Sequence, residues 1–259
     1  MNTAIRKLTC IEIQRDDTRL ARIFFNRPEQ YNAMSTLLMK EFISILEELV
    51  ADEFLCLLIL EGRGKAFMSG ADIKEYEKFS AADFLDFQQQ SARIYELIET
   101  APFPVIAAIN GYAVGGGWEI ALACDIRIAK DTAKMGLPEA KLGLIPGGGG
   151  TQRLTQLAGL SVAKEMLLLG RLYNASEMYN RHLITEVIVA DNWEERKQDL
   201  IDELLKIPKQ SHRKLKELTS PHLSNVRFSD RLNMESASVN ELFSSPVAAE
   251  MIKSFTQKK

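Results

Sequence analysis

Hydrophobic and polar positions in the first part of the chain predict two strands, a helix and a third strand. Residues 8–14 and 19–25 have the pattern of strands joined by a turn. From Ser35 to Val50, apolar residues recur at helical spacing, which predicts an amphipathic helix. These apolar positions are Leu37, Leu38, Phe42, Ile45, Leu46 and Leu49. Leu55–Leu60 is an almost wholly apolar run, typical of a strand covered on both faces.

The next part of the chain repeats the order strand, loop, helix. The predicted elements are a glycine-bearing loop at Gly62–Lys74, a helix at Ala81–Glu99, a strand at Val105–Ile109, a helix from three glycines through Ala123, and a strand at Asp125–Ala129. Because strands alternate with helices, the pattern favours an α/β fold of stacked βα-type units around a mostly buried sheet.

The pattern changes after about residue 190. From Asn192 onward it is helical throughout, with breaks near Pro208, Pro221 and Pro246. We therefore predict a core domain at residues 1–190 and a helical C-terminal subdomain at residues 191–259. Exposed apolar residues in this subdomain make it a candidate subunit interface.

Composition argues against several classes of protein. The 259 residues carry a net charge of -3 and no long basic block, so nucleic-acid binding is not expected. Three widely spaced cysteines without paired motifs favour a reduced, cytoplasmic compartment and argue against a disulfide framework or zinc site. The longest uncharged stretch, Thr100–Trp118, contains two prolines and four glycines, which argues against a membrane span.

A lone carboxylate stands within this apolar part of the chain. Between Thr100 and Cys124 the only charged residue is Glu119, directly after three glycines and a tryptophan. Burial would raise the pKa of this carboxyl toward neutrality, which suits proton transfer. The glycines allow the backbone to approach a ligand closely at a helix start. A second carboxylate, Glu139, is on its own pattern equally compatible with a surface or helix-capping position.

The glycine-rich stretches and the histidines of the sequence do not form any other known catalytic or binding motif. The four glycines before Thr151 lack the lysine and spacing of a phosphate-binding P-loop, and Ile120 replaces the last glycine of a dinucleotide-binding motif. His182, His212 and His222 all lie in the C-terminal third and form no metal-ligand pattern. A serine nucleophile elbow does not occur. Acid–base chemistry on carboxylates is the remaining hypothesis.

Several segments, in the right order, resemble the enoyl-CoA hydratase/isomerase family, the crotonases. These segments are Asn26-Arg27-Pro28 with Asn32-Ala33-Met34, then Lys65 to Glu75, Pro104 to Gly111, the three glycines with Glu119, Pro138-Glu139, Leu142 to Gly147, and Gly150-Thr151-Gln152-Arg153-Leu154. Together they cover most of residues 20–190. The resemblance implies a crotonase-like spiral of ββα units, followed by a C-terminal helical region that builds homotrimers, often paired as hexamers.

The resemblance also implies an acyl-CoA thioester substrate and an enolate-like transition state. The backbone N–H groups of Ala71 and Gly116 would bind the thioester oxygen. Glu119 and Glu139 would be the two acids that add water across the α,β double bond of a 2-enoyl-CoA. Further substrate-binding residues would be Ser69, Asp72, Ile73 and Lys74, beside the same two amides. Coenzyme A is then part of the substrate, and neither a separate cofactor nor a metal is expected.

Two other functions within the family stay open. Family isomerases typically keep a single acid at the position of Glu139, so isomerisation would tolerate replacement of Glu119. One branch binds RNA through a lysine-lined helix, but the corresponding helix here holds only Lys40 against Glu41, Glu47 and Glu48.

Acyl chain length, pathway and the choice between coenzyme A and a carrier protein stay open as well. Aromatic residues in the segment Tyr76–Phe87, namely Phe79, Phe84 and Phe87, are predicted to shape the acyl pocket, without indicating which ring faces it. His182 stands where the family usually has a helix-ending glycine, so a left-handed backbone is expected there.

Overall fold

The computed structural model describes residues 4–257. Its elements in chain order are β1 (Ala4–Lys7), β2 (Ile11–Arg15), β3 (Leu20–Phe25), α1 (Thr36–Val50), β4 (Leu57–Gly62), β5 (Ala66–Met68), α2 (Ile73–Tyr76), α3 (Ala81–Thr100), β6 (Val105–Ile109), β7 (Tyr112–Val114), α4 (Gly116–Ala123), β8 (Ile126–Lys130), β9 (Lys134–Gly136), α5 (Gly150–Ala158), α6 (Leu160–Leu169), β10 (Tyr173–Asn174), α7 (Ala175–Tyr179), β11 (Glu186–Ile188), α8 (Trp193–Leu205), α9 (Lys209–Leu218), α10 (Phe228–Phe243) and α11 (Pro246–Gln257). Short 3₁₀ turns lie at Pro28–Gln30, Glu139–Leu142, Ala190–Asn192 and Pro221–Leu223.

The strands form one sheet of seven strands and one of four. The large sheet has the order β1-β2-β3-β4-β6-β8-β11. Its strands are parallel from β3 to β11, and β1 and β2 extend it in antiparallel pairing. The small sheet has the order β10-β9-β7-β5, with β5, β7 and β9 parallel and β10 antiparallel.

The predicted spiral of ββα units is confirmed. In the pairs β4–β5, β6–β7 and β8–β9, the first strand joins the large sheet and the second joins the small one. A helix follows each pair along the chain. Since β5, β7 and β9 are parallel neighbours, the loops that follow them leave the same edge of the small sheet. Those loops carry the candidate site.

The large sheet is buried on both faces, as the apolar run at Leu55–Leu60 predicts. Along β4, Leu58 and Leu60 join the main core cluster, while Leu57 and Ile59 join a second cluster with Trp193 of α8. Successive side chains of a strand point to opposite faces, so α8 covers the face opposite to the main core. This two-sided cover holds the strands, and the loops at their ends, in place.

In the large sheet, β1 and β11 were not predicted, and the strand predicted at residues 8–14 begins only at Ile11. The small sheet differs more from the sequence prediction. Gly62–Lys74, predicted as a loop, contains β5 and the start of α2, and β7 lies in the segment before the three glycines. Strands of three residues are too short to show an alternating pattern. The longer elements α1, α3 and β6 match their predicted bounds closely.

From Ala190 to Gln257 the described chain contains helices and 3₁₀ turns and no strand, as the pattern predicts. In the part of the chain that the structure describes, no helix is both long and apolar enough to cross a membrane. His182 has a φ of 60°, the left-handed backbone expected at that position. The boundary near residue 190 stays a prediction.

A buried ion pair joins α8 to β4. Lys197 Nζ lies 2.7 Å from Glu61 Oε2, and their side chains are 4% and 9% exposed. Trp193 Nε1 donates a hydrogen bond of 3.0 Å to the other Glu61 oxygen, Oε1. Lys197 has a second anionic partner, Glu194, at 3.0 Å, whereas Lys197 is the cation that compensates the buried charge of Glu61.

We expect Lys197→Met to lower the free energy of unfolding by about 3–5 kcal/mol, because Glu61 would keep a buried charge without its cation. Urea denaturation followed by circular dichroism measures this change. The matched control is Arg227→Met at the exposed Arg227–Asp230 pair, which should shift the midpoint very little. Equal midpoints for the two variants would contradict the expectation, and adding Glu61→Gln to Lys197→Met should recover much of the loss.

Candidate active site

The start of α4 leaves a backbone N–H group free beside the loop after β7. Gly115 has a φ of 54° and a ψ of -128°, which directs the chain sharply from β7 into the helix at Gly116. A methyl group on Gly117 would lie 2.1 Å from the carbonyl oxygen of Met68, so only glycine lets α4 approach β5 this closely. Gly116 is the first helical residue, and its N–H donates no hydrogen bond within residues 4–257.

A second free N–H group lies in the loop after β5. Met34 N–H donates to the carbonyl of Gly70 at 2.7 Å, and Asp72 N–H donates to the carbonyl of Met34 at 3.0 Å. These two bonds bracket Ala71, whose N–H donates to no group among the described residues. A methyl group on Gly70 would lie 3.6 Å from the Gly116 nitrogen, so the two loops are in contact. Two free amides in adjoining loops, one of them at the N-terminus of α4, can stabilise an oxyanion.

Glu119, in the first turn of α4, is 3% exposed. Its Oε1 accepts hydrogen bonds of 2.8 Å from the backbone N–H groups of Gly148 and Gly150. Burial raises the pKa of the Glu119 carboxyl above its usual value, while the two N–H donors and the charge of Arg153 oppose that rise. The ionised form of Glu119 is therefore stabilised by main-chain groups inside an apolar site.

Arg153 on α5 holds the glycine loop that binds Glu119. Its Nη1 donates to the carbonyl of Gly148 at 2.5 Å, and its Nε and Nη2 donate to the Glu99 carboxylate of α3 at 2.6 and 2.9 Å. A methyl group on Gly150 would lie 2.8 Å from Glu119 Oε1, so this loop has no room for a larger residue. The position of the Glu119 carboxylate thus depends on a loop fixed to α3.

Glu139 opens the 3₁₀ turn after β9 and has a different environment. Its Oε2 is buried and has no hydrogen-bond partner among residues 4–257. Burial raises the pKa of Glu139 to about 7, and the nearby Glu119 charge adds to the rise, while its own backbone N–H lowers it. A methyl group on Gly115 would lie 3.1 Å from Glu139 Oε1, which places this carboxyl against the Gly115–Gly116 loop.

The two carboxylates and both free amides line one cavity of about 170 Å³. Among the predicted site residues, those that line it are Ser69, Ala71, Ile73, Gly116, Glu119 and Glu139. Asp72 and Lys74 do not: Asp72 pairs with Arg27 at 3.0 Å and accepts a hydrogen bond from the Lys74 N–H at the start of α2. The cavity can therefore combine oxyanion binding with proton transfer between two acids.

Aromatic rings close one side of the cavity, in the segment predicted to shape it. Tyr76, Phe84 and Phe87 line the cavity, and Phe79 packs behind them against Tyr76 and Phe87 at centroid distances of 5.5 and 5.8 Å. Burial, with the charges of Glu119 and Glu139, raises the pKa of Tyr76 to about 12, so its hydroxyl stays neutral.

Three polar residues of α3 line the cavity and were not predicted from the sequence: Gln88, Ser91 and Tyr95. They fall on the buried face of the helix, which also carries Phe87 and Ile94. Polar residues at helical spacing on an otherwise apolar face were the signal that could have identified them. In residues 4–257, no cluster of His, Cys, Asp and Glu side chains is arranged to hold a metal ion.

Comparison with known proteins matches residues 15–259 to the model of the family described as enoyl-CoA hydratase/isomerase. An enoyl-CoA isomerase/hydratase of Mycosarcoma maydis is 36% identical over 251 residues, covering 93% of this chain and 91% of that protein. A crotonyl-CoA hydratase of Syntrophomonas wolfei is 38% identical, over 74% of this chain and 71% of that one. The crystal structure of an enoyl-CoA hydratase from Bacillus anthracis superposes with a TM-score of 0.92 at 33% identity, covering 97% of each chain.

Proposed function

Because the chain belongs to the enoyl-CoA hydratase/isomerase family, we propose that it is a 2-enoyl-CoA hydratase with Glu119 and Glu139 as its two acids. The observation that carries this proposal is that both carboxyls line one cavity with the free amides of Ala71 and Gly116. The reaction adds water across the α,β double bond of an acyl-CoA thioester, or removes it from a 3-hydroxyacyl-CoA.

The two acids differ in a way that suits addition of water. Glu119, whose ionised form is stabilised by two N–H donors, takes a proton from water as the water oxygen bonds to the β-carbon. The double-bond electrons move to the thioester oxygen, where the N–H groups of Ala71 and Gly116 bind the enolate. Glu139, protonated below about pH 7, then gives its proton to the α-carbon. The proton returns from Glu119 to Glu139 before the next turnover.

Double-bond isomerisation is the second candidate, and one observation favours it. Glu139 has an unpartnered oxygen and a pKa of about 7, which also suit a single base that moves a proton from C2 to C4. The relative from Mycosarcoma maydis carries both activities in its name, enoyl-CoA isomerase/hydratase. In this reaction Glu119 would contribute no proton transfer.

Loss of the conjugated enoyl-thioester absorbance of crotonyl-CoA tests the proposal. Hydration in labelled water should place the labelled oxygen on the β-carbon of the product. A 3-enoyl-CoA is assayed in parallel for gain of the same absorbance. Turnover of the 3-enoyl substrate alone would replace hydration by isomerisation. If neither substrate is turned over, 2-octenoyl-CoA and 3-octenoyl-CoA are assayed next, and inactivity on every one of these substrates would refute both reactions.

The pH dependence of kcat/KM provides a test that separates the two reactions. Hydration needs an enzyme in which the two carboxyls together hold one proton, and that proton is on Glu139. Dehydration needs the same total of one proton, but on Glu119. Because both directions use the same protonation state of the free enzyme, kcat/KM should fall above about pH 7 in both. Isomerisation by ionised Glu139 should instead fall below about pH 7. Rates measured from pH 5 to 9, with enzyme stability checked at each end, would contradict hydration if they rise through neutrality.

The C-terminal helices support assembly as the homotrimer or hexamer that the resemblance implies. Phe228 and Phe243 of α10 and Phe255 of α11 are 68%, 72% and 75% exposed. Large apolar side chains exposed on neighbouring helices are typical of a subunit interface.

A further inference from the structure

A polar face on α3 runs along the cavity from the two acids toward its open end. Tyr95 lies at the acids: its hydroxyl is 2.2 Å from a methyl group built on Gly148 and 3.9 Å from one built on Gly116. Gln88 is about two helical turns away, some 10 Å along the axis. One turn further, Phe84 helps to line the mouth, which is mainly apolar and has one acid, Glu77; the other residues there are Ile73, Tyr76, Leu142 and Leu144. We call Gln88, Ser91 and Tyr95 the polar face of α3.

The polar groups of this face have unused hydrogen-bonding capacity. The Gln88 amide lies beside Gly147, where an added methyl would be 2.5 Å from its Nε2, yet it bonds to no protein group in residues 4–257. Ser91 Oγ donates to the Gln88 carbonyl at 2.9 Å and keeps its lone pairs free. The Tyr95 hydroxyl also lacks a protein partner within the described chain. Ser91 and Tyr95 are buried, and Gln88 is partly exposed in the cavity wall. Polar groups of a cavity wall without protein partners bind water or a ligand.

The rest of the cavity wall limits what that ligand can be. Of the described residues that line the cavity, only Glu119 and Glu139 are charged, and no lysine, arginine or histidine is among them. An acyl group with its own carboxylate would meet two acids and no cation. The fitting substituent is therefore neutral and able to hydrogen-bond: a hydroxyl, an oxo group or an amide.

A plain hydrocarbon tail would be a poor match to this wall. It would displace water from Gln88 and Ser91 without replacing the hydrogen bonds, and each buried group left unpaired weakens binding. A site built to hydrogen-bond a substrate group discriminates strongly against analogues that lack the group. The mouth beyond Gln88 is mainly apolar, with Glu77 as its one charged residue among those described, so the chain can continue past the substituent.

We propose that the polar face of α3 recognises enoyl thioesters whose acyl chain carries a neutral hydrogen-bonding substituent beyond the reacting double bond. This inference rests on the proposed function and names its substrate class. Gln88 and Ser91 are the residues that determine specificity, because they lie along the tail. Tyr95 lies beside the reacting carbons.

The test compares 2-octenoyl-CoA with its 5-, 6- and 7-hydroxy derivatives. We expect kcat/KM to be about tenfold or more higher for the preferred hydroxy derivative than for the plain substrate. Gln88→Leu combined with Ser91→Ala should remove this preference, mainly by raising KM for the hydroxy substrate. Gln89→Leu, on the exposed side of the same helix, is the matched control and should keep it.

Calorimetric binding of the saturated octanoyl-CoA and of its 5-, 6- and 7-hydroxy derivatives gives a readout that does not depend on turnover, and the comparison uses the hydroxy ligand that binds most tightly. The hydroxy ligand should bind about tenfold more tightly to the wild type and equally to the double variant. Equal affinities for the wild type would mean that the polar face only holds water, which overturns the inference. If octenoyl-CoA is hydrated without preference, the inference fails and the proposed function stands. Failure to hydrate any enoyl-CoA, with the binding preference intact, would refute the hydratase and keep the recognition.

Discussion

Replacing Glu139 with Gln is expected to lower kcat for hydration of crotonyl-CoA by about 10²–10⁴-fold. A glutamine has almost the same shape but cannot supply the proton that the α-carbon needs. Glu139 Oε2 makes no hydrogen bond among residues 4–257, so the substitution breaks no internal contact of that oxygen. A large loss of rate in a folded variant therefore reports on chemistry.

Glu119→Gln is the partner experiment, with a loss of similar size for hydration. The amide oxygen of glutamine can still accept the N–H bonds of Gly148 and Gly150, so the loop should keep its position. Stopped-flow absorbance with crotonyl-CoA measures both variants, and Glu96→Gln on the exposed side of α3 is the control. If Glu119→Gln keeps most of the wild-type rate on a 3-enoyl-CoA while Glu139→Gln loses it, isomerisation is the better assignment.

The second large effect concerns the amide of Gly116, which we propose binds the oxyanion. Gly116→Pro removes the N–H group and should lower kcat by about 10²–10³-fold. Proline is well accommodated at the first position of a helix, which Gly116 occupies, so the fold should tolerate it. The loss is expected in kcat because the bond to the oxygen strengthens as the enolate forms.

Gly116→Ala is the matched control because it adds a side chain and keeps the N–H group. Its methyl would lie 3.0 Å from the terminal methyl of Met34, a flexible side chain that can move aside. We expect a rate within about tenfold of the wild type, because the N–H group is kept and the change in packing is small. Equal activity of the proline and alanine variants, with both folded by circular dichroism, would exclude the Gly116 amide from the reaction.

Local patterns predicted the α/β alternation and the position of Glu119, whereas Glu139 and the spiral of ββα units were predicted from the family resemblance. Glu119 is identifiable because it is the lone charge in a long apolar stretch, and the structure buries it to 3% exposure. The long helices and the central strand β6 have clear periodicity or apolar runs. Asp72 and Lys74 were predicted to bind substrate because they closely follow Ala71 in the sequence. Neither lines the cavity, and Asp72 instead caps α2 and pairs with Arg27.

The contacts that tune the site could not be predicted, because they join residues far apart in sequence. The amides that bind Glu119 come from Gly148 and Gly150 on the other side of β8 and β9. The small sheet that brings the loops together consists of strands of two or three residues. The pairing of these short strands cannot be predicted from any local pattern, because it depends on the order in which the ββα units stack.

The main-chain donors on Glu119 have a consequence for how the site changes during evolution. Glu119 accepts the backbone N–H groups of Gly148 and Gly150, and these two donors, which Glu139 lacks, separate the proton affinities of the two carboxyls. Most single substitutions cannot remove a backbone N–H, since only proline lacks one. The proposed acid–base pair should therefore tolerate substitutions outside the tightly packed glycine loop, whereas the proposed contacts of Gln88 and Ser91 depend on their side chains and can be lost by one substitution. Such a chain can acquire new acyl substrates in few steps and keep its chemistry.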